Sequence, residues 1–240
     1  MIIMKIYITL FILFIGSSVF SQINAGKIVF ERKTNLEKKF TDGRMKKMLG
    51  EDNKIRVELF DLYFNDTCSI FKPILSEEAD PLSWSTNKNT VYQNFNTKQK
   101  TLLLSIWGQQ INVKDTNYHR DWKITDSKRT IAGFECYKAI WQKNDSTRLY
   151  AWFSPDIVPS VGPEGFDGLP GAILGLATED GGIIYFAKSV EISKPTSLQF
   201  QIDLKKKDVY TMPELKAKID KEYGDTPMGK RIFVDLFRWL

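Results

Sequence analysis

A chain of 240 residues, 42% hydrophobic and 26% charged, is long enough to bury a core without metal or disulfide staples. Its 34 Lys and Arg stand against 29 Asp and Glu, a formal net charge of +5, with the two signs interspersed. The longest basic run, Lys205-Lys206-Lys207, reads as a solvated strand end, so the composition speaks against a nucleic-acid partner.

The chain opens with an export signal. Lys5 is the only charged side chain ahead of Lys27, and residues 6–15 are apolar except for Thr9. Gly16, Ser17 and Ser18 follow, then Val19-Phe20-Ser21, which places small side chains for cleavage after Ser21. The apolar run falls short of the roughly 20 residues a spanning helix needs. We therefore expect residues 1–21 to be removed and residues 22–240 to fold as a single β-rich domain. Export puts Cys68 and Cys136 in an oxidising compartment, where they form either a disulfide or two buried thiols.

From there the pattern is strand-like. Residues 27–32 begin it. In 54–63, Ile55, Val57 and Leu59 alternate with Arg56 and Glu58, which predicts a half-buried strand with the aliphatics inward. Further strands are expected at 68–71, 90–95, 100–107, 110–114, 122–125, 134–142, 147–154, 172–178, 183–192 and 198–204. Asn144-Asp145-Ser146 and Glu179-Asp180-Gly181-Gly182 supply hairpin turns. Residues 34–49 read as a loop or irregular helix, and 77–89 as a loop. A helix is expected over 212–223, because Thr211 and Glu214 form a capping box, Leu215 and Ile219 share a face, and Gly224 ends it. The sum is a mainly β (α+β) fold: a largely antiparallel sheet with one or two helices. The tail, residues 230–240, is apolar for a chain end and reads as a docked terminal element or a contact surface.

Catalytic chemistry finds little purchase. The single histidine, His119, sits between Tyr118 and Arg120 in a polar stretch, with no serine in a nucleophile-elbow setting. Neither H-E-x-x-H nor C-x-x-C occurs, so no metal or other cofactor is expected. Asp156, Glu164 and Asp167 fall within twelve residues, a spacing open to acid–base work or calcium but commoner for turn acids. What stands out is residues 151–175, AWFSPDIVPSVGPEGFDGLPGAILG. Four of the nine prolines (Pro155, Pro159, Pro163, Pro170) lie there. Leu169-Pro170-Gly171-Ala172 fits a type II turn, and Gly168 and Gly171 permit close backbone approach. The segment predicts a rigid crossover between two strands.

These residues carry a resemblance. Gly168-Leu169-Pro170-Gly171-Ala172-Ile173-Leu174 resembles the motif of the GLPGLI family of secreted Bacteroidetes-type proteins, with Ala172 in place of the usual leucine. Ala151-Trp152-Phe153-Ser154-Pro155-Asp156-Ile157 and Gly162-Pro163 are similar to its lead-in, with Val158-Pro159 where Pro-Val is commoner. Trp122 to Ile131, Gly133-Phe134-Glu135-Cys136, and Tyr63-Phe64-Asn65 with Ser69 match further segments. No established activity comes with the resemblance. It implies a LolA-like half-barrel, a periplasmic or outer-membrane-associated location, and members encoded near TonB-dependent receptors. Two non-enzymatic functions follow. One is binding of a lipid or acyl chain in the curved sheet, with Trp107, Trp122, Trp141, Trp152 and Phe153 as lining. The other is an accessory role to an outer-membrane receptor or secretion complex. A hydrolase using the three acids is the remaining reading.

Overall fold

The computed structural model describes residues 22–226 except 51, 77, 79, 107, 108, 117, 118, 145, 146, 205–208 and 225. The export signal, Trp107, the Lys205–Lys207 run and the apolar tail lie outside the described residues. Twelve strands form one open, curved sheet: β1 (Gly26–Asn35), β2 (Ile55–Phe64), β3 (Cys68–Pro73), β4 (Thr90–Asn94), β5 (Gln99–Ile106), β6 (Gln109–Thr116), β7 (Lys123–Ile131), β8 (Phe134–Asn144), β9 (Thr147–Ser154), β10 (Ala172–Thr178), β11 (Ile183–Ile192) and β12 (Val209–Tyr210). Their order is β12-β6-β5-β4-β3-β2-β1-β11-β10-β9-β8-β7, antiparallel except for β12 on β6. Near-neighbour pairing of this kind is what short strands joined by hairpin turns produce. The mainly β expectation holds, and no helix among the described residues is long and apolar enough to cross a membrane.

Three helices accompany the sheet: α1 (Leu36–Lys39), α2 (Gly43–Leu49) and α3 (Met212–Tyr223). The first two, separated by a break at 40–42, match the irregular-helix alternative for 34–49. Asn35 caps α1 by accepting from Lys38 N, and Asp42 caps α2 by accepting from Arg44 N. At α3 the capping box is present: Glu214 Oε2 accepts from Thr211 N at 2.8 Å, and Leu215 and Ile219 are buried.

β2 faces the opposite way from the sequence expectation. Ile55, Val57 and Leu59 are exposed at 60, 53 and 41%, whereas Glu58, Phe60, Leu62 and Phe64 are buried. Side chains alternate between faces along a strand, so the face is decided by the whole stripe. Phe60, Leu62 and Phe64 pack into the main core, and Glu58 travels inward in phase with them.

Two further expectations are corrected. Residues 198–204 are turn and irregular backbone; Pro195 lacks the donor a ladder requires, and Gln199 Oε1 accepts from Thr196 N at 2.8 Å to close a local turn. Of the two alternatives left open for the cysteines, Cys68 on β3 and Cys136 on β8 stand as buried free thiols. Burial pushes the Cys136 thiol up to about 11, which leaves it inert at neutral pH. Finally, Leu169-Pro170-Gly171-Ala172 is not a type II turn. Gly171 N donates to Leu169 O at 2.8 Å, closing a tighter turn, while Ala172 N donates to Ile157 O at 2.9 Å.

Candidate functional site

The crossover from β9 to β10 lies across the inner face of the sheet. Its first turn is tied to the start of the described chain: Ile23 N donates to Asp156 O and Val158 N to Ile23 O. Its end is pinned by Gly171, where a Cβ would come within 2.1 Å of Ser154 O at a φ of +139°, so only glycine fits. Between them Phe166 is buried against Trp122 and Trp141, with ring centroids 6.4 Å from each. The flanking carboxylates, Glu164 and Asp167, then leave on two sides into two separate clusters of charge.

Glu164 enters a sealed cluster. Arg32 on β1 donates to Glu58 Oε2 through Nε (3.2 Å) and Nη2 (2.5 Å), and its Nη1 lies 3.7 Å from Glu164 Oε1. Tyr185 Oη on β11 donates to Glu164 Oε1 at 2.7 Å, Asn89 Nδ2 to Glu164 Oε2 at 3.4 Å, and Thr86 Oγ1 to Glu58 Oε1 at 2.8 Å. All four carboxylate oxygens thus have a donor, and the three charged side chains are only 6–8% exposed. The two acids diverge in acidity. Burial works against the charge of Glu58, but Arg32, Thr86 and Arg56 outweigh it and hold its carboxyl below the usual range. For Glu164 burial wins over Arg32, Tyr185 and Asn89, and its carboxyl is raised.

Asp167 enters the second cluster. It accepts from Gln93 Nε2 at 2.9 Å and Arg120 Nη1 at 3.3 Å, and Lys100 Nζ stands 3.4 Å away while donating to Gly165 O at 2.6 Å. Trp122 Nε1 donates to Asp167 O at 2.9 Å. The Arg120 guanidinium lies over Phe166, 4.3 Å from the ring centre. Burial pushes Lys100 down to about 8; Asp167 opposes the fall and Arg120 adds to it. The second cluster opens onto a recess of about 460 Å³ lined by Phe95, Lys98, His119, Arg120, Ser160, Asp167 and Gly168.

The structure therefore disperses the residues singled out in the sequence. Asp156 is exposed and remote from both clusters, so the three acids do not converge. Gly162, Pro163, Leu169 and Gly171 are buried in the crossover, while Pro155, Gly168 and Pro170 are exposed along it. Trp152 lies on the other face of β9, paired with Phe186 beneath the guanidinium of Arg129. Trp122, Trp141 and Phe153 pack in or against the core. His119 is 90% exposed at the rim of the recess, 3.1 Å from Asp121. Among the described residues, no group of three or more His, Cys, Asp or Glu side chains is placed to hold a metal ion.

Arg32, Glu58 and Lys100 escaped the sequence reading, yet each carries a signal. Ile28, Phe30 and Arg32 share one face of β1, and Glu58, Phe60, Leu62 and Phe64 one face of β2. Lys100, Leu102 and Leu104 do the same on β5. A charge in phase with an apolar stripe marks a buried ion.

No family model and no curated protein matches the chain. Among solved structures it is similar to PNGF-II, with a TM-score of 0.55 and 14% identity over 81% of this chain and 32% of that one. A second crystal form of PNGF-II gives 0.53 and 13% over 78% and 31%. The chain thus spans about a third of PNGF-II, and a likeness at this identity is one of fold. The Pseudomonas aeruginosa MucA/MucB complex is matched more loosely, at a TM-score of 0.38 and 10% identity over 76% of this chain and 57% of that one.

Proposed function

We propose that this chain is a non-catalytic cell-envelope protein of GLPGLI type, exported by its leading segment and acting through contact with a partner, as an accessory to an outer-membrane receptor or secretion complex. The observation that supports this reading is the closure of the inner face. Phe166, Trp122 and Trp141 occupy the space an acyl chain would need, and the Glu58 and Glu164 oxygens all have donors within the protein. Acid–base work requires a carboxylate within reach of a substrate proton. On the outer face Ile55, Val57 and Leu59 form an exposed apolar strip, a feature typical of interaction surfaces. The receptor as partner comes from the family resemblance.

A photo-crosslinking residue at Val57, introduced in intact cells, tests the reading. Trapping a TonB-dependent receptor there supports it. Native mass spectrometry of the same protein supplies the opposing result: a retained lipid-sized adduct with no receptor crosslink replaces the accessory role by amphiphile binding.

A further inference from the structure

We propose that the outer face of the sheet across β7–β11 is a docking surface for an anionic phospholipid bilayer, met through Arg129 and Lys138. It stands independently of the receptor contact proposed on β2.

The sequence builds an aromatic platform here. Leu149, Ala151 and Phe153 are buried in the core, so Tyr150 and Trp152 between them project from the outer face. On β11 Phe186 does the same between buried Tyr185 and Ala187. The intervening strand offers Gly175, in register with both Trp152 and Phe186. A Cβ there would stand 3.3 Å from each ring and 3.1 Å from Ile131 Cδ1. Glycine therefore lets the two rings meet, with centroids 6.2 Å apart. All three aromatic side chains remain half-buried rather than sealed.

Two cations lie on this platform. The exposed Arg129 guanidinium sits 4.7 Å from the Trp152 centroid and 5.3 Å from that of Phe186. Lys138 Nζ lies 4.2 Å from the Tyr150 centroid and 5.9 Å from that of Trp152. The acids around them are engaged elsewhere. Glu31 faces Lys33 and Lys188 at 3.3 Å each, Glu179 faces Arg148 and Tyr150 Oη, and Glu135 faces Lys128. Among the described residues no carboxylate, that of Asp156 included, comes within ion-pair distance of Arg129 or Lys138.

A ring face holds a cation in place while leaving N–H donors free for an anion. Trp and Tyr beside Arg and Lys is also the composition of a membrane interface, where rings settle at headgroup depth and cations meet lipid phosphates. A partner strand is the less suited occupant. The register of β7 shifts between Ile124 and Lys128, and a bulged edge is a poor template for pairing.

The test is co-sedimentation of the protein, purified from cells expressing the whole chain, with vesicles of phosphatidylcholine alone or mixed equally with phosphatidylglycerol. Binding is expected to the mixed vesicles only, and should weaken as salt is raised. Arg129→Gln and Lys138→Gln should each weaken it about fivefold, with folding intact by circular dichroism, and Arg129→Lys should retain it. Lys114→Gln, on β6 at the far end of the sheet, removes the same charge and should bind like the parent. Equal weakening by Lys114→Gln would assign the binding to net charge and overturn the patch. Mixed vesicles left unbound would overturn it too, and binding of polyglutamate in their place would assign an acidic polypeptide instead.

Discussion

The two charge clusters flanking Phe166 are built from the same kinds of residue and differ in how they are enclosed. On one side Arg32, Glu58 and Glu164 are sealed beneath Thr86, Asn89 and Tyr185, with each acid oxygen answered by a donor. On the other side Lys100 and Arg120 both face Asp167 beside an open recess. The first cluster fastens the crossover to the sheet. The second fastens it too, through Lys100 to Gly165 O and Trp122 to Asp167 O, at the edge of a recess. Neither arrangement leaves a buried charge without a partner, since a buried charge is costly unless it is paired and hydrogen-bonded.

Three measurements would sharpen or break that contrast. The largest effect belongs to Arg32→Ala, which leaves Glu58 and Glu164 buried without their shared cation. Urea denaturation should show a loss of about 3–5 kcal/mol. A loss under about 1 kcal/mol would mean the sealed cluster fastens nothing.

Lys100 comes next. Its folded value, about 8, lies below the 10.5 of an ordinary lysine, so between these values the unfolded chain binds more protons than the folded one. Stability therefore rises with pH across that window, by up to about 3 kcal/mol for this group. Lys100→Met removes the titration, so the parent should gain on the variant between pH 8 and about 10. Parallel curves would show that burial does not disfavour the Lys100 ammonium.

Glu164→Gln is the mildest. The raised carboxyl of Glu164 means its charge is a cost above its folded value, a cost that fades as pH falls and the acid is protonated. Losing the charge offsets weakened hydrogen bonds to Tyr185 and Asn89, so at pH 7 the change should stay within about 1 kcal/mol. It should shrink further in acid, read by the urea midpoint at successive pH values.

How much of this was legible beforehand varies with the range of the interaction responsible. Hairpin and helix signals are local. The Glu179–Gly182 turn, with Gly181 at a φ of +65°, and the α3 capping box lie where turn and cap chemistry place them. The crossover was visible through its prolines and glycines, and Gly171 does bring two backbones together. Its turn type was not, since the donor at Ala172 is taken by Ile157, fifteen residues away and beyond any local rule. Of the site, Glu164 and Asp167 were named, but grouped with Asp156, because proximity in sequence says nothing of which way a non-repetitive loop sends each side chain.

By itself the sequence determined the strand-rich class, most element positions and the rigid link between β9 and β10, all consequences of backbone propensity over a few residues. Tertiary structure alone decided which face of β2 turned inward. Ile55, Val57 and Leu59 alternate as cleanly as Phe60, Leu62 and Phe64, so the pattern alone does not pick the face. The inner face went to the larger stripe, Phe60, Leu62 and Phe64, and Glu58 goes with it because Arg32 stands opposite in the β1–β2 register and answers its charge. A buried carboxylate is affordable only where its partner already stands, and that partner is 26 residues away.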